Sequence, residues 1–253
     1  MGKFYQCLLS EFKKRKRSNF LLLHLFLPFI LITILVLYTF LRNGPLSATA
    51  SYVILFEIIG VSSPVIISIL CGMVAEAESE AGQFQNILGV AKSKSIAFLS
   101  QITMLLLAYS TAIFLTTSLY VWALKFIVHI EEVHLTLYYS TSIIFIISAI
   151  FQYFFYHIIS YKHGIEISGI FGFMGMIIAA LSLTSLADNI WPFLPWAWAN
   201  RFSEYVTHFF SVTNFEVMND STQVTGLFSF CSLTICIIFI NIVWIQKWEG
   251  RRQ

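Results

Sequence analysis

Hydrophobic and polar positions along this chain separate into long blocks. Six nearly continuous apolar runs, at roughly 20–41, 52–74, 96–120, 138–159, 166–186 and 225–245, are divided by shorter polar stretches. A helix needs about 20 predominantly apolar residues to cross the hydrocarbon core of a bilayer, and each run supplies about that many. The pattern predicts an all-α polytopic membrane protein, with residues 1–253 forming one transmembrane domain of six spans. Ahead of the first run, Phe4, Leu8 and Phe12 fall on one helical stripe beside the basic run Lys13 to Arg17. This suits an elbow helix lying in the membrane interface.

The most informative polar stretch lies between the second and third runs, at residues 76–89. Its first half concentrates Glu76, Glu78 and Glu80; its second half carries Phe84, Ile87 and Leu88 at spacings of three and four; Lys92 and Lys94 follow. As a helix it has one apolar face and opposite charge at its two ends, the build of a docking helix. An ordinary solvated loop fits the same residues.

Composition narrows the class further. With 58% apolar residues, 17% aromatic and 11% charged, and a mean hydropathy of +0.79, the chain does not resemble a soluble domain. No G-x-x-x-x-G-K-[ST] loop is present to cradle a nucleotide, so if a nucleotide drives the protein, another chain binds it. The net charge of +2 hides an asymmetry. If the N-terminus is inside, Lys3, Lys13, Lys14, Arg15, Lys16, Arg17, Lys92, Lys94, Lys162, Lys247, Arg251 and Arg252 lie on the inner side, and only Arg42, Lys125 and Arg201 on the outer. Basic short loops stay in the cytoplasm, so both termini are predicted there. The run 13–17 faces anionic head groups, and nucleic acid is not an expected partner. The outer segments carry Glu131, Glu132, Asp188, Glu204, Glu216 and Asp220, an acidic excess that attracts cations. Cys71, Cys231 and Cys236 fall in or at the end of spans and Cys7 on the inner side, so no disulfide is implied. The first apolar run, at about 22 residues, exceeds the core of a signal peptide and reads as an uncleaved helix.

Several polar residues stand inside or beside the spans. Pro28 predicts a kink in the first, and His24 reads as a buried polar contact. Glu57 in the second span is a functional candidate, because carboxylates in a membrane are costly; its partner is Arg42, Arg201 or the head-group water. The third span is rich in Ser and Thr, which bond back to helix carbonyls or across to a neighbour. His129 and His134 are five residues apart and so roughly 140° apart on a helix, which does not match a zinc motif, and no metal site is expected. In the fifth span Ser168/Gly172 and Gly175/Ala179 form two small-xxx-small steps that allow a second helix, of this subunit or another, to approach closely. The segment 187–224 opens with Trp191, Pro195, Trp196, Trp198 and Arg201; rings of this kind belong at a membrane boundary with their N–H groups wet.

Three stretches carry a resemblance: Glu11 to Ser18 leading into an apolar span with Pro28; Glu78-Ser79-Glu80-Ala81-Gly82-Gln83-Phe84-Gln85-Asn86-Ile87-Leu88; and Pro195-Trp196 with Arg201. With the six spans, the chain resembles a permease subunit of the type-two bacterial ABC exporters, most closely the lantibiotic self-immunity permeases. The resemblance implies that Glu78, Glu80, Gly82, Phe84 and Leu88 form the coupling motif that docks on a separate ATPase subunit, which would hold ATP and Mg. It implies a second permease subunit, membrane lipid around the bundle, and an antimicrobial peptide as substrate in the bacterial cytoplasmic membrane. Glu57, Trp191, Pro195, Trp196, Trp198 and Arg201 become candidates for contacting substrate or gating it. A permease for another drug, a lipid or a polysaccharide fits too; an intramembrane enzyme would need converging polar residues in the spans, and only His24, Glu57 and His157 stand there.

Overall fold

The computed structural model describes residues 2–16, 18–42, 46–85, 93–130, 132–211 and 221–250, and those residues are all-helical. Eight α-helices follow one another: α1 (Lys3–Arg15), α2 (Asn19–Leu41), α3 (Ala48–Glu80), α4 (Lys94–Phe126), α5 (Leu135–His163), α6 (Ile165–Leu181), α7 (Trp198–Ser211) and α8 (Ser221–Lys247), with short 3-10 turns at Ser185–Ala187 and Trp191–Phe193 before α7. Five of them, α2, α3, α4, α5 and α8, are long and apolar enough to cross a membrane. Helix α6 is equally apolar but has 17 residues, about 25 Å of helix.

Helices α3, α4, α5 and α8 overrun their apolar runs because hydropathy marks where the chain leaves lipid, not where the helix stops, whereas α6 ends at Leu181, short of the run's end at 186. Helix α3 has 33 residues, about 50 Å against a hydrocarbon core of about 30 Å. Nothing in Val74-Ala75-Glu76-Ala77-Glu78-Ser79-Glu80 breaks a helix, so α3 continues through the carboxylates. The predicted separate helix over 76–89 is therefore not what forms across residues 76–85. The break comes at Gly82, whose φ is +118°, followed by Gln83 and Phe84 at +52° and +63°. The amides of Gln83 and Phe84 reach back to the carbonyls of Ser79 and Glu78, at 2.8 and 3.1 Å.

Small residues set the tightest packing. A Cβ on Gly72 would meet Ile165, and one on Gly172 would run into Ser68, so α3 and α6 approach almost backbone to backbone. Ser168 stitches the contact by accepting from the Ser160 hydroxyl at 2.9 Å and donating to the Ser68 carbonyl at 3.1 Å. The α5–α6 hairpin turns on Gly164 alone, at φ +92°, where a side chain would be strained. The hydroxyls of α4 divide as predicted: Thr103, Ser110, Thr111 and Thr116 bond back to their own helix, whereas Thr117 meets Ser142 and Ser118 meets Tyr139 on α5. Helix α2 packs on α4 and leaves an apolar groove of about 280 Å³ towards α3, lined by Leu27, Pro28, Ile58 and Ile113 among others. Elsewhere Leu37, Phe228, Ile235 and Phe239 present bare apolar faces, as lipid-facing helices do.

Candidate functional site

Helix α1 and the segment just beyond α8 meet at one end of the bundle, around the turn that closes α3. Phe84 is 1% exposed; its ring lies 5.3 Å from that of Tyr161 on α5 and 4.9 Å from that of Trp248 beyond α8. Lys94, opening α4, donates to the Trp248 carbonyl at 2.9 Å. The two left-handed non-glycine residues cost of order 1–3 kcal/mol each, and burial of the Phe84 ring offsets that strain. Phe84 was expected on an outward docking face; it faces inward because the left-handed turn folds it back on its own subunit. The exposed side chains of the turn are those of Glu80, Ala81, Gln83 and Gln85. Leu88 lies outside the described residues.

Glu78, also expected at a docking surface, is 3% exposed and clamps α1 to α3. Its Oε1 accepts from Lys14 at 3.0 Å and from Arg15 at 3.3 Å. Arg15 also donates to the Val74 carbonyl at 3.4 Å, and Lys14 pairs with Glu11 at 2.7 Å. Burial pushes the Glu11 carboxyl above its usual range, against the pull of Lys14. For Lys14 burial works to lower the value, but the hydrogen bonds and charges of Glu11 and Glu78 outweigh it and hold the ammonium above its ordinary range. Nearby, Glu76 accepts from the first amide of α6 at 3.3 Å, a favourable place for a carboxylate. The elbow expected from residues 1–17 is thus a helix fastened by ion pairs, with Leu8 and Phe12 against the core.

The small-residue stripe of α6 is covered by this subunit. Ser168, Gly172, Gly175 and Ala179 are all buried; a Cβ on Gly175 would stand 2.5 Å from the Trp196 indole nitrogen and 2.6 Å from the Tyr156 hydroxyl. Of the two uses open to the stripe, packing within the chain is the one seen.

At the opposite end, the tryptophans depart from the expected half-wet belt. Trp191 and Trp198 are 1% and 0% exposed and form a second small core with Ala197, Phe202 and Phe230. The Trp198 N–H donates to the Pro192 carbonyl at 2.9 Å, and that of Trp196 to the Tyr156 hydroxyl at 2.8 Å. A Cβ on Gly226 of α8 would strike Trp191, so that glycine makes room for the ring. Pro192 and Pro195 are buried too. The apolar side chains that do face outward here are Leu186, Ile190 and Phe193, 77%, 54% and 62% exposed.

Beside this core, α3, Leu183 and α7 enclose a cleft lined by Tyr52, Phe56, Glu57, Asn200, Ser203 and Glu204 among others. Arg201 is committed elsewhere: it donates to Asp188 at 2.6 Å, to the Thr184 carbonyl at 3.1 Å and to Glu204 at 3.3 Å. Among the described residues no lysine or arginine pairs with Glu57, so the Arg42 and Arg201 partnerships considered for it are not formed. Asn200 and Ser203 went unnoticed in the sequence, as polar residues in an amphipathic helix carry no signal of what covers them. Comparison with known proteins adds nothing to this picture: no family model, no curated protein and no solved structure matches the chain.

Proposed function

We propose that the protein is the membrane-spanning subunit of an ABC exporter, with α6 as a sixth, short span, α1 as the interfacial elbow and both termini in the cytoplasm of a bacterium. The observation that carries this reading is the turn after α3. A strained polar turn is fastened to the elbow by the Arg15–Glu78 pair and to the ends of α5 and α8 by Phe84, and it holds Glu80, Gln83 and Gln85 outward. A membrane domain that must follow a soluble motor needs such a rigid protrusion, and the sequence carries no G-x-x-x-x-G-K-[ST] loop. In this reading the turn and the residues up to Leu88 meet a separate ATPase, and a second permease subunit completes the assembly. The cargo is an amphipathic antimicrobial peptide of lantibiotic type, removed from the membrane as self-protection; the resemblance of the three stretches supports this cargo. Substrate and gate residues belong to the end carrying Glu57 and Arg201.

The test uses Glu80→Arg and Gln85→Glu, both at exposed positions. Normal membrane abundance with loss of ATPase co-purification and of peptide protection is the expected outcome. Unchanged association at normal abundance refutes the docking role. Cysteine placed at Gln85 should react only from the cytoplasm, and at Leu186 only from outside; the reverse overturns the orientation.

A further inference from the structure

The groove between α2 and α3 is long and narrow. Its wall runs along α2 from Leu23 to Ile34 and along α3 from Ile58 to Leu70, and α4 closes the floor from Tyr109 to Thr116. On α2 and α3 these stretches are about 17 and 18 Å of helix axis, and the volume of about 280 Å³ is drawn out over that length. A cavity of about 150 Å³ takes one benzene ring, so a groove less than twice as large and about three helical turns long is a slot one chain wide. A helix, about 10–12 Å across with its side chains, does not enter it. The wall is alkyl even where the sequence is polar: the hydroxyls of Ser62, Ser63 and Thr116 donate to the carbonyls of Ile58, Gly60 and Ala112 in their own helices, at 2.7, 3.1 and 2.7 Å. One end of the slot opens close to basic side chains. Leu23 stands about 6 Å along α2 from its start at Asn19, and α1 ends just ahead of that start. Lys14 and Arg15 of the elbow are taken up by Glu11 and Glu78, whereas Lys13 and Lys16 are exposed.

We propose that this groove seats one acyl chain of an anionic phospholipid, whose phosphate is held at the α1 end by Lys13 and Lys16. Width, length and charge select that occupant together. The slot admits a single alkyl chain and offers it an apolar wall on three helices. Its length of about 17 Å is close to half the thickness of the hydrocarbon core, about 15 Å, which is the depth an acyl chain of one leaflet reaches. The two exposed ammonium groups at its mouth attract a lipid of net negative charge over a zwitterionic one. A chain seated there joins α2 to α3, which otherwise barely touch, and so becomes a structural part of the bundle. The inference requires only that α2, α3 and α4 cross the membrane, and nothing of the exporter reading.

The experiment places the purified protein in phosphatidylcholine vesicles with a trace of phosphatidylglycerol that carries a diazirine midway along one acyl chain, and maps the residues labelled on photolysis by mass spectrometry. Leu27, Ile58 and Ile113 in the groove should be labelled well above Phe228, Ile235 and Phe239 on the bare face of α8. Lys13→Gln combined with Lys16→Gln should lower labelling in the groove about fivefold or more and leave α8 unchanged, since each basic residue near the surface contributes to anionic-lipid binding. A phosphatidylcholine probe with the same chain should label the groove as weakly as that double variant does. Ala112→Phe fills the floor and should abolish groove labelling; Ser62→Leu fills the slot from α3, and thermal midpoints show that each variant is folded. Even labelling of the groove and α8 in the wild type marks ordinary surrounding lipid and overturns the proposal, and so does undiminished groove labelling in a folded variant of either position. Equal groove labelling by the phosphatidylcholine probe overturns it too, by removing the charged head from the site. No ATPase is present in this assay, so its outcome leaves the coupling role untouched.

Discussion

Replacing Glu78 by Gln should be among the most damaging single polar changes in this protein, and the size of the effect follows from what the charge touches. Arg15 is 6% exposed at its side chain and Glu78 3%. The Gln amide oxygen can still accept from Arg15 but carries no charge, so the buried guanidinium is left with neutral acceptors there and at the Val74 carbonyl, 3.4 Å away. Removing one partner of a buried pair costs about 3–5 kcal/mol, because the other charge is left uncompensated. Lys14 contributes far less. Its side chain is 37% exposed and retains Glu11 at 2.7 Å, so its bond to Glu78 is screened and worth roughly 0.5 kcal/mol. The total is about 3 kcal/mol or more, set by Arg15. Removing both buried charges strands neither, so Arg15→Met with Glu78→Leu should recover about 2 kcal/mol relative to the sum of the single changes. Unfolding by SDS titration in mixed micelles, read through tryptophan fluorescence, measures all four corners of the cycle. A Glu78→Gln loss under about 0.5 kcal/mol, or strict additivity in the cycle, refutes the claim that this pair fastens α1 to α3.

Gly175→Leu should lower the stability of the isolated subunit by about 1–3 kcal/mol, by forcing the Trp196 indole off Tyr156; a variant of unchanged thermal midpoint that loses only subunit association would return the stripe to an intersubunit seam. Glu11 supplies a pH signature: its carboxyl is raised from 4.5 mainly by burial, so the folded state holds the proton longer than the unfolded one. Stability from this group is therefore greatest below its ordinary value and falls as pH rises through the folded one. Thermal midpoints between about pH 4 and pH 7 should decline less in Glu11→Gln than in the wild type, and parallel curves would rule the carboxyl out.

Much of the helical content was legible because lipid-crossing segments announce themselves by length and hydropathy: five of the six apolar runs lie on helices long enough to span, and the fifth, 166–186, is helical only as far as Leu181. What hydropathy records is the boundary between oil and water. It misplaced the end of α3, where a polar stretch of good helix formers carries on past the membrane. It also misread Phe84 and the tryptophans: an aromatic ring in a polar stretch looks the same whether it anchors in a partner, in head groups or in its own subunit. Only the φ values of Gly82, Gln83 and Phe84 turn that ring inward, and no residue pattern declares two left-handed non-glycines in a row. The Ser168, Gly172, Gly175, Ala179 stripe was legible as close packing, because small residues at that spacing have little other use, but which helix it met was not. Asn200 was invisible, since its significance lies in Gly60, 140 positions away.

Glu57 and Glu78 belong to the same uninterrupted helix, 21 residues apart, which is about 32 Å of axis. A displacement imposed on the polar turn therefore arrives at the acidic cleft with no loop in between to absorb it, in the manner of a connecting rod. The one compliant point along that rod is Pro64, inside the helix, where the lost amide donor lets the axis bend. Gly72 and Ser68 lie on the turn side of Pro64 and are packed against α6, while Gly60 and Glu57 lie beyond it, so a stroke delivered by a partner at the turn would reach the cleft only through Pro64.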